Sequence, residues 1–285
     1  MSAAALARQN DLFELEPTRN KPFLKWAGGK FRVLDEILPR LPAGQRLIEP
    51  FAGSAAVSLN ADFAAGVVAD FNPDLVNLYN SIQTDVSKFL DEAGSLFDGA
   101  HNTREAFDSL RDEFNASCDP FRRSVIFVYL NRHAFNGLCR YNSKGRFNVP
   151  FGKYTKPGFP RAEIEAFSKA TAALEFVHQD FLTTMSQTAV GDVIYCDPPY
   201  VALSVTSNFT SYSAGSFGFA EQKALAEKAR ECAGRGIPVL ISNHDTPESR
   251  ALYQGAEIHR FEVQRFISSK ASTRGNAPEL LAIFR

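Results

Sequence analysis

At 285 residues and 45% hydrophobic content, the chain is long enough for one large core with a smaller inserted module. Cys118, Cys139, Cys196 and Cys232 are scattered, with no CxxC pair and no nearby His at ligand spacing, which argues against a disulfide framework or any metal site. The start is too short and insufficiently apolar for a secretory signal, and no apolar run spans a bilayer. A soluble, cytoplasmic protein with no membrane partner is expected.

Residues 46–51 read as a strand, followed by a glycine turn and a helix over 54–62. A second short strand, 66–70, ends in Asp70; Asn72 as N-cap and Pro73 at the first helical position then open another helix. This βαβα start marks a doubly wound sheet. Helical pattern dominates 86–132, with Thr103 and Asp119 as caps. It fails over 133–156, where Asn136-Gly137 and Lys144-Gly145 are turn signals for a β-hairpin or looped excursion. Strands resume at 175–180, 192–196 and 237–243, with an amphipathic helix over 221–234, and 258–266 and 280–284 close the chain as an antiparallel pair. The expected fold is α/β, a doubly wound mixed sheet interrupted by a mainly helical insert bearing a β-hairpin.

The net charge of −1 is uninformative because charge is segregated. Between Asp119 and Glu163 there are nine basic residues and no acid, interleaved with Tyr, Phe and Asn. Solvated faces usually mix both signs, so this stretch reads as a footprint for a phosphate backbone.

Asp197-Pro198-Pro199-Tyr200 follows the buried strand 192–196, at the usual ligand edge of an open α/β sheet. Two prolines remove two N–H donors and leave carbonyls free to accept. A carboxylate, a carbonyl and an aromatic ring together suit the exocyclic amino group of a planar base, although the same residues also suit a strand-end turn. Gly53 lets a ligand approach a helix N-terminus, and Asp70 is placed to accept from ribose hydroxyls. The spacing of a dinucleotide fingerprint is absent. Lys25 to Lys30 is not a phosphate loop either, since Leu24 and Phe31 stand where glycine and Ser/Thr are needed.

Phe23 to Lys30, Glu49 to Gly53, Asn131-Arg132, Asn136 to Asn142, Phe147 to Gly152 and Asp197 to Tyr200 together resemble the Dam family of DNA adenine-N6 methyltransferases, the α-group or D12 class. The resemblance spans residues 21–284, in the order cofactor site, target-recognition insert, catalytic site. It implies a catalytic domain of residues 21–71 and 162–285, an insert of 72–161 and a tail of 1–20. It also implies that S-adenosylmethionine is held by Trp26, Ala27, Lys30, Phe51, Gly53, Asp70, Asp180 and Asp197. Asp197 and the Pro198 carbonyl would accept from a flipped adenine stacked on Tyr200, followed by direct in-line attack without a covalent enzyme intermediate. Leu138, Arg140, Pro150 and Tyr154 match positions that read GATC in double-stranded DNA, and Lys25 an additional base contact. Asn136 matches a contact to the DNA that the base vacates, and Phe135 the aromatic that wedges into the base step. Arg132, Asn142 and Asn148 match backbone contacts.

Three positions depart from the family pattern: Ala55 replaces a glycine, Phe135 a tyrosine and Lys153 an arginine. The implied setting is the cytoplasm, at the nucleoid, with a role in strand marking. A restriction-associated enzyme, a DNA-binding protein without catalysis and an RNA methyltransferase remain alternatives. Outside the resemblance, Gln9, Leu12 and Phe13 resemble the short peptide that binds the bacterial sliding clamp; a plain tail is the alternative.

Overall fold

The computed structural model describes residues 19–201, 217–264 and 276–285, so Gln9, Leu12 and Phe13 lie outside the described residues. Five strands run parallel: β1 (Arg46–Glu49), β2 (Ala65–Asp70), β3 (Leu174–His178), β4 (Asp192–Cys196) and β5 (Val239–His244). β6 (Glu257–Gln264) and β7 (Asn276–Phe284) pair antiparallel, and β7 is also antiparallel to β5. The sheet order is β3-β2-β1-β4-β5-β7-β6, the expected doubly wound mixed sheet. The order reverses beside β1, which opens a crevice at the carboxyl ends of β1 and β4. Because β7 is reversed and Glu279 pairs with His244, its early residues reach that same edge.

Both faces of the sheet are covered. Ile194 and Cys196 of β4 share a buried cluster with Leu225 and Ala229 of α8 (Phe219–Gly234). Val193 and Tyr195 point to the other face, with Leu34 and Ile37 of α1 (Leu34–Ile37). Between β2 and β3 run α2 (Pro73–Thr84), α3 (Val86–Gly94), α4 (Arg104–Ala116), α5 (Pro120–His133) and α6 (Arg161–Ala170). Val68 and Phe176 of the sheet and Tyr79, Phe89, Phe107 and Phe167 of these helices belong to one buried cluster. The helical segment and the sheet therefore bury a continuous surface. The side chains of Asn72, Thr103 and Asp119 cap as expected, accepting from Asp74, Ala106 and Phe121 N–H groups. α6, α7 (Phe181–Ser186) and α9 (Pro247–Leu252) are short elements that the periodicity did not announce.

One expectation needs correction and another is refined. Residues 54–62 form a chain of turns, not a helix. Gly53 (φ 47) and Ala55 (φ 54) both adopt left-handed backbone, which breaks helical progression, so only single helical bonds such as Leu59 N–H to the Ala55 carbonyl (2.9 Å) form. Within 133–156 the hairpin or looped excursion takes a short form: two antiparallel bridges, Ala134↔Phe151 and Tyr141↔Phe147, each flanked by backbone bonds such as Phe135 N–H to the Pro150 carbonyl (2.9 Å) and Asn148 N–H to the Arg140 carbonyl (3.1 Å), beside a 3-10 turn at Phe135–Gly137. Left-handed Asn136, Gly137 and Lys153 interrupt a ladder. The Asn115 side chain instead satisfies both backbone groups of Phe147, at 2.7 and 3.0 Å.

Candidate active site

The fully buried β4 delivers Asp197 to the crevice. One oxygen of Asp197, Oδ1, takes the Lys30 ammonium at 2.8 Å and the Ser242 hydroxyl at 2.9 Å. Its other oxygen and the Pro198 carbonyl have no partner among the described residues. Two acceptors are thus left side by side on a fixed support.

The turn is held from behind. The Gln222 amide donates to the Pro199 carbonyl at 2.5 Å. The buried Asn243 side chain accepts from Val201 N–H (3.0 Å) and donates to Gln222 (3.1 Å) and to the Tyr253 hydroxyl (2.8 Å). A buried amide satisfied on every side fixes one geometry. The Tyr200 hydroxyl donates to Glu279 at 3.1 Å, and the His244 ring meets its ring edge-on, with centroids 4.7 Å apart. The Lys30 ammonium stands 4.6 Å from the centre of the same ring. Burial, with Asp197 and Glu279 nearby, raises the Tyr200 phenol well above its ordinary value, so it remains a donor. Burial likewise raises the Cys196 thiol, which removes it as a nucleophile.

A second cluster stands at the ends of β1 and β2. Asp70 accepts from Gly53 N–H at 3.1 Å and Asn72 N–H at 2.8 Å, and burial still raises its carboxyl. The Tyr79 hydroxyl donates to the Gly53 carbonyl at 2.5 Å. A Cβ on Gly53 would stand 3.0 Å from the Trp26 indole nitrogen, so glycine is needed for both its φ and the close approach of the ring. Burial pushes Glu49 up to about 8, and Ser58 bonds it through N–H (3.2 Å) and hydroxyl, folding the 50–58 loop back on the strand.

Phe51 lies a step aside, stacked on Phe181 at 5.4 Å. Beside it, exposed Asp180 caps α7 by accepting from Thr183 N–H at 3.0 Å, and the Thr183 contacts hold its carboxyl below its ordinary value. Ala27 is exposed in the loop between Trp26 and Lys30. The structure therefore brings Trp26, Gly53 and Asp70 into one group and Lys30, Asp197 and Tyr200 into another. Phe51 and Asp180 form an outlying pair.

The segment expected to carry recognition leaves α5. The buried Asn131 amide clamps it to the Lys25 loop, accepting from Lys25 N–H (2.9 Å) and donating to the Lys25 carbonyl (2.7 Å) and the Gly137 carbonyl (3.2 Å). Burial and neighbouring Arg132 lower the Lys25 pKa, and its ammonium lies 4.5 Å over the Tyr154 ring. The Tyr154 hydroxyl accepts from Asn136 N–H at 2.9 Å. Phe135 and Leu138 are exposed apolar side chains, and Pro150 is exposed beside them. Arg140 donates to the Asn148 side chain at 2.9 Å, and Asn142 holds the tip turn through Lys144 and Arg146 N–H groups.

Arg132 is placed differently from its neighbours: it is half-buried and donates to the Gly158 carbonyl at 3.1 Å. The basic face is also narrower than the acid-free stretch implied. Arg122 pairs with Glu113 at 2.6 Å and Arg123 with Asp74 at 2.8 Å. Arg140, Lys144, Arg146, Lys153 and Lys156 stay exposed.

Asn131 stood in a matched motif without an assigned role, and Gln222, Ser242, Asn243, His244 and Glu279 had no sign in the sequence, because their signal is spatial. Reading along the chain also missed Phe71, a 71% exposed aromatic directly after Asp70. An aromatic at a strand end was a readable sign.

The family model for D12 class N6 adenine-specific DNA methyltransferase matches residues 26–267. A DNA adenine methylase of Serratia marcescens is 47% identical over 268 residues, covering 94% of this chain and 99% of that protein. The DNA adenine methylase of Escherichia coli (strain K12) is 47% identical over 267 residues, covering 94% and 96%. One from Vibrio cholerae is 45% identical over 267 residues, covering 93% and 96%. The chain therefore belongs to the D12 class of N6 adenine-specific DNA methyltransferases.

Proposed function

We propose that the enzyme methylates N6 of adenine within GATC in duplex DNA, on a base extruded from the stack, with S-adenosylmethionine as donor. The observation that carries this reading is the pair of acceptors without a partner among the described residues, the second Asp197 oxygen and the Pro198 carbonyl, beside the Tyr200 ring. An exocyclic amino group has two N–H donors for those acceptors and a flat ring for the tyrosine. Hydrogen bonds from the amino group to both acceptors favour a pyramidal nitrogen and stabilise the positive charge that develops on it. The target amino group is inaccessible inside a duplex, so extrusion is required, and stacking on Tyr200 offsets part of the lost base stacking.

The donor set fits S-adenosylmethionine. Asp70 supplies an acceptor for a ribose diol, Trp26 and exposed Phe71 supply aromatic surface for an adenine, and the Lys30 ammonium suits a carboxylate. Ala27, Phe51, Gly53 and Asp180 line the same edge, and Asp197 bounds it. When bound, the cofactor supplies an electrophilic methyl on a sulfonium. The chain's part is to orient the amino nitrogen and exclude competing water.

On the DNA side, exposed Arg140 suits the O6 and N7 acceptors of a guanine. Leu138, Pro150, Tyr154 and Lys25 border the same groove-facing surface, and Phe135 offers an exposed ring for the step that the base leaves. The test is tritiated-methyl transfer to duplexes carrying GATC or each single-base variant of it. Label on GATC alone is expected; equal label on the variants overturns the specificity, and label on cytosine overturns the target.

A further inference from the structure

From Leu138 to Asn142 the side chains alternate. Leu138, Arg140 and Asn142 are exposed, whereas Cys139 and Tyr141 turn inward and pack against the large aromatic cluster. This is strand-like alternation on a very short pairing: the Tyr141↔Phe147 bridge is flanked by backbone bonds from Asn142 N–H to the Arg146 carbonyl (2.9 Å) and from Asn148 N–H to the Arg140 carbonyl (3.1 Å). That pairing holds the two limbs to each other, and the inward side chains hold the pair to the body of the protein.

Tyr141 makes the specific contact. Its hydroxyl donates to Asp74 Oδ2 at 2.7 Å, and its ring meets Phe147 edge-on at 6.0 Å. Asp74 is itself fixed: it is buried in the first turn of α2 and gripped by both Arg123 guanidinium arms at 2.8 Å. Arg123 in turn donates to the Ser117 carbonyl at 3.2 Å and lies 4.1 Å over the Phe114 ring. α2 begins three residues after Asp70, whose carboxylate accepts from Asn72 N–H. The hydroxyl thus ties the reading segment to the helix that starts at the cofactor edge.

We propose that Tyr141 is a positioning residue for target recognition: its hydrogen bond to the Asp74–Arg123 pair fixes where the short paired segment sits on α2, and so how it presents Arg140 to the DNA. The inference rests on the reading of Arg140 as a base contact. Removing the hydroxyl leaves Asp74 paired with Arg123, so no buried charge is orphaned and the fold is retained. What is lost is the constraint on the segment.

The test compares wild type, Tyr141→Phe, Arg140→Ala and the double variant. For each, kcat/KM is measured on a GATC duplex and on its single-base variants, and the ratio is taken. A ratio from one preparation cancels the active fraction, so partial misfolding does not move it. Tyr141→Phe is expected to lower the ratio roughly tenfold at the position Arg140 discriminates, in the range of one base contact. In the Arg140→Ala background it should lower it no further. An unchanged ratio in Tyr141→Phe, with a reduced one in Arg140→Ala, overturns the inference and leaves the reading of Arg140 standing. Unchanged ratios in Arg140→Ala overturn both.

Discussion

The Asp197–Tyr200 turn, proposed to carry the chemistry, and the 134–156 segment, proposed to read the DNA, are built by opposite rules. The turn after β4 is braced by buried side chains: Ser242 and Lys30 both hold Asp197 Oδ1, and Asn243, Gln222 and Glu279 hold the Val201 N–H, the Pro199 carbonyl and the Tyr200 hydroxyl. The segment over 134–156 has two isolated bridges with a few cross-strand backbone bonds, and single side-chain anchors to the rest of the protein, chiefly Asn131, Asn115 and Tyr141. Redundant support suits chemistry that tolerates little displacement. Sparse support leaves exposed tips free to meet a large, variable partner, but it makes each anchor count for more.

That contrast can be broken at both ends. The largest effect is expected at Asp197→Ala, which removes an acceptor at the reacting nitrogen: methyl transfer should fall about 10³-fold or more. DNA affinity by gel shift should stay nearly intact, and full turnover would sink the chemistry proposed. Next, Asn243→Leu strands the Val201 N–H and unlinks Gln222, so urea unfolding should show a loss of about 2–4 kcal/mol. A loss near zero would mean that the bracing is not cooperative.

In the recognition segment, Gly137→Ala combines left-handed φ (62) with a Cβ placed 2.5 Å from the Lys25 side chain. Strain of about 1–2 kcal/mol should weaken DNA binding roughly tenfold while donor affinity, read by calorimetry, stays put. Equal losses in both would show that the two regions are not separable.

The smallest test concerns Glu49. Its folded pKa, near 8, lies above the ordinary carboxylate value, so its burial stabilises the fold fully below about pH 4.5, and this contribution is lost as pH rises through 8. Glu49→Gln should therefore melt at a temperature less dependent on pH across that window; parallel curves would contradict the assignment.

Local chemistry made part of this site legible. The buried run before Asp197 placed the turn at a strand end, and Asn72, Thr103 and Asp119 announced their helices because capping acts within three residues. The helix expected over 54–62 failed for an equally local reason that residue type did not show: Ala55 occupies a left-handed position, and alanine is ordinarily a helix former. The acid-free stretch misled differently. Asp74 and Glu113 fold against it from earlier in the chain and neutralise Arg123 and Arg122, so only its second half forms an exposed basic face.

By itself, then, the sequence determined most of the order of strands and helices, the strand end that carries Asp197–Tyr200 and the family, because these rest on short-range periodicity, capping and contiguous motifs. Tertiary structure alone decided which acceptors at Asp197 and Pro198 remain open, what braces Tyr200, and where Arg140 stands. Those answers come from Ser242, Glu279, Asn131 and Asp74, partners far away along the chain, and only close packing of the sheet edge brings them within hydrogen-bonding distance.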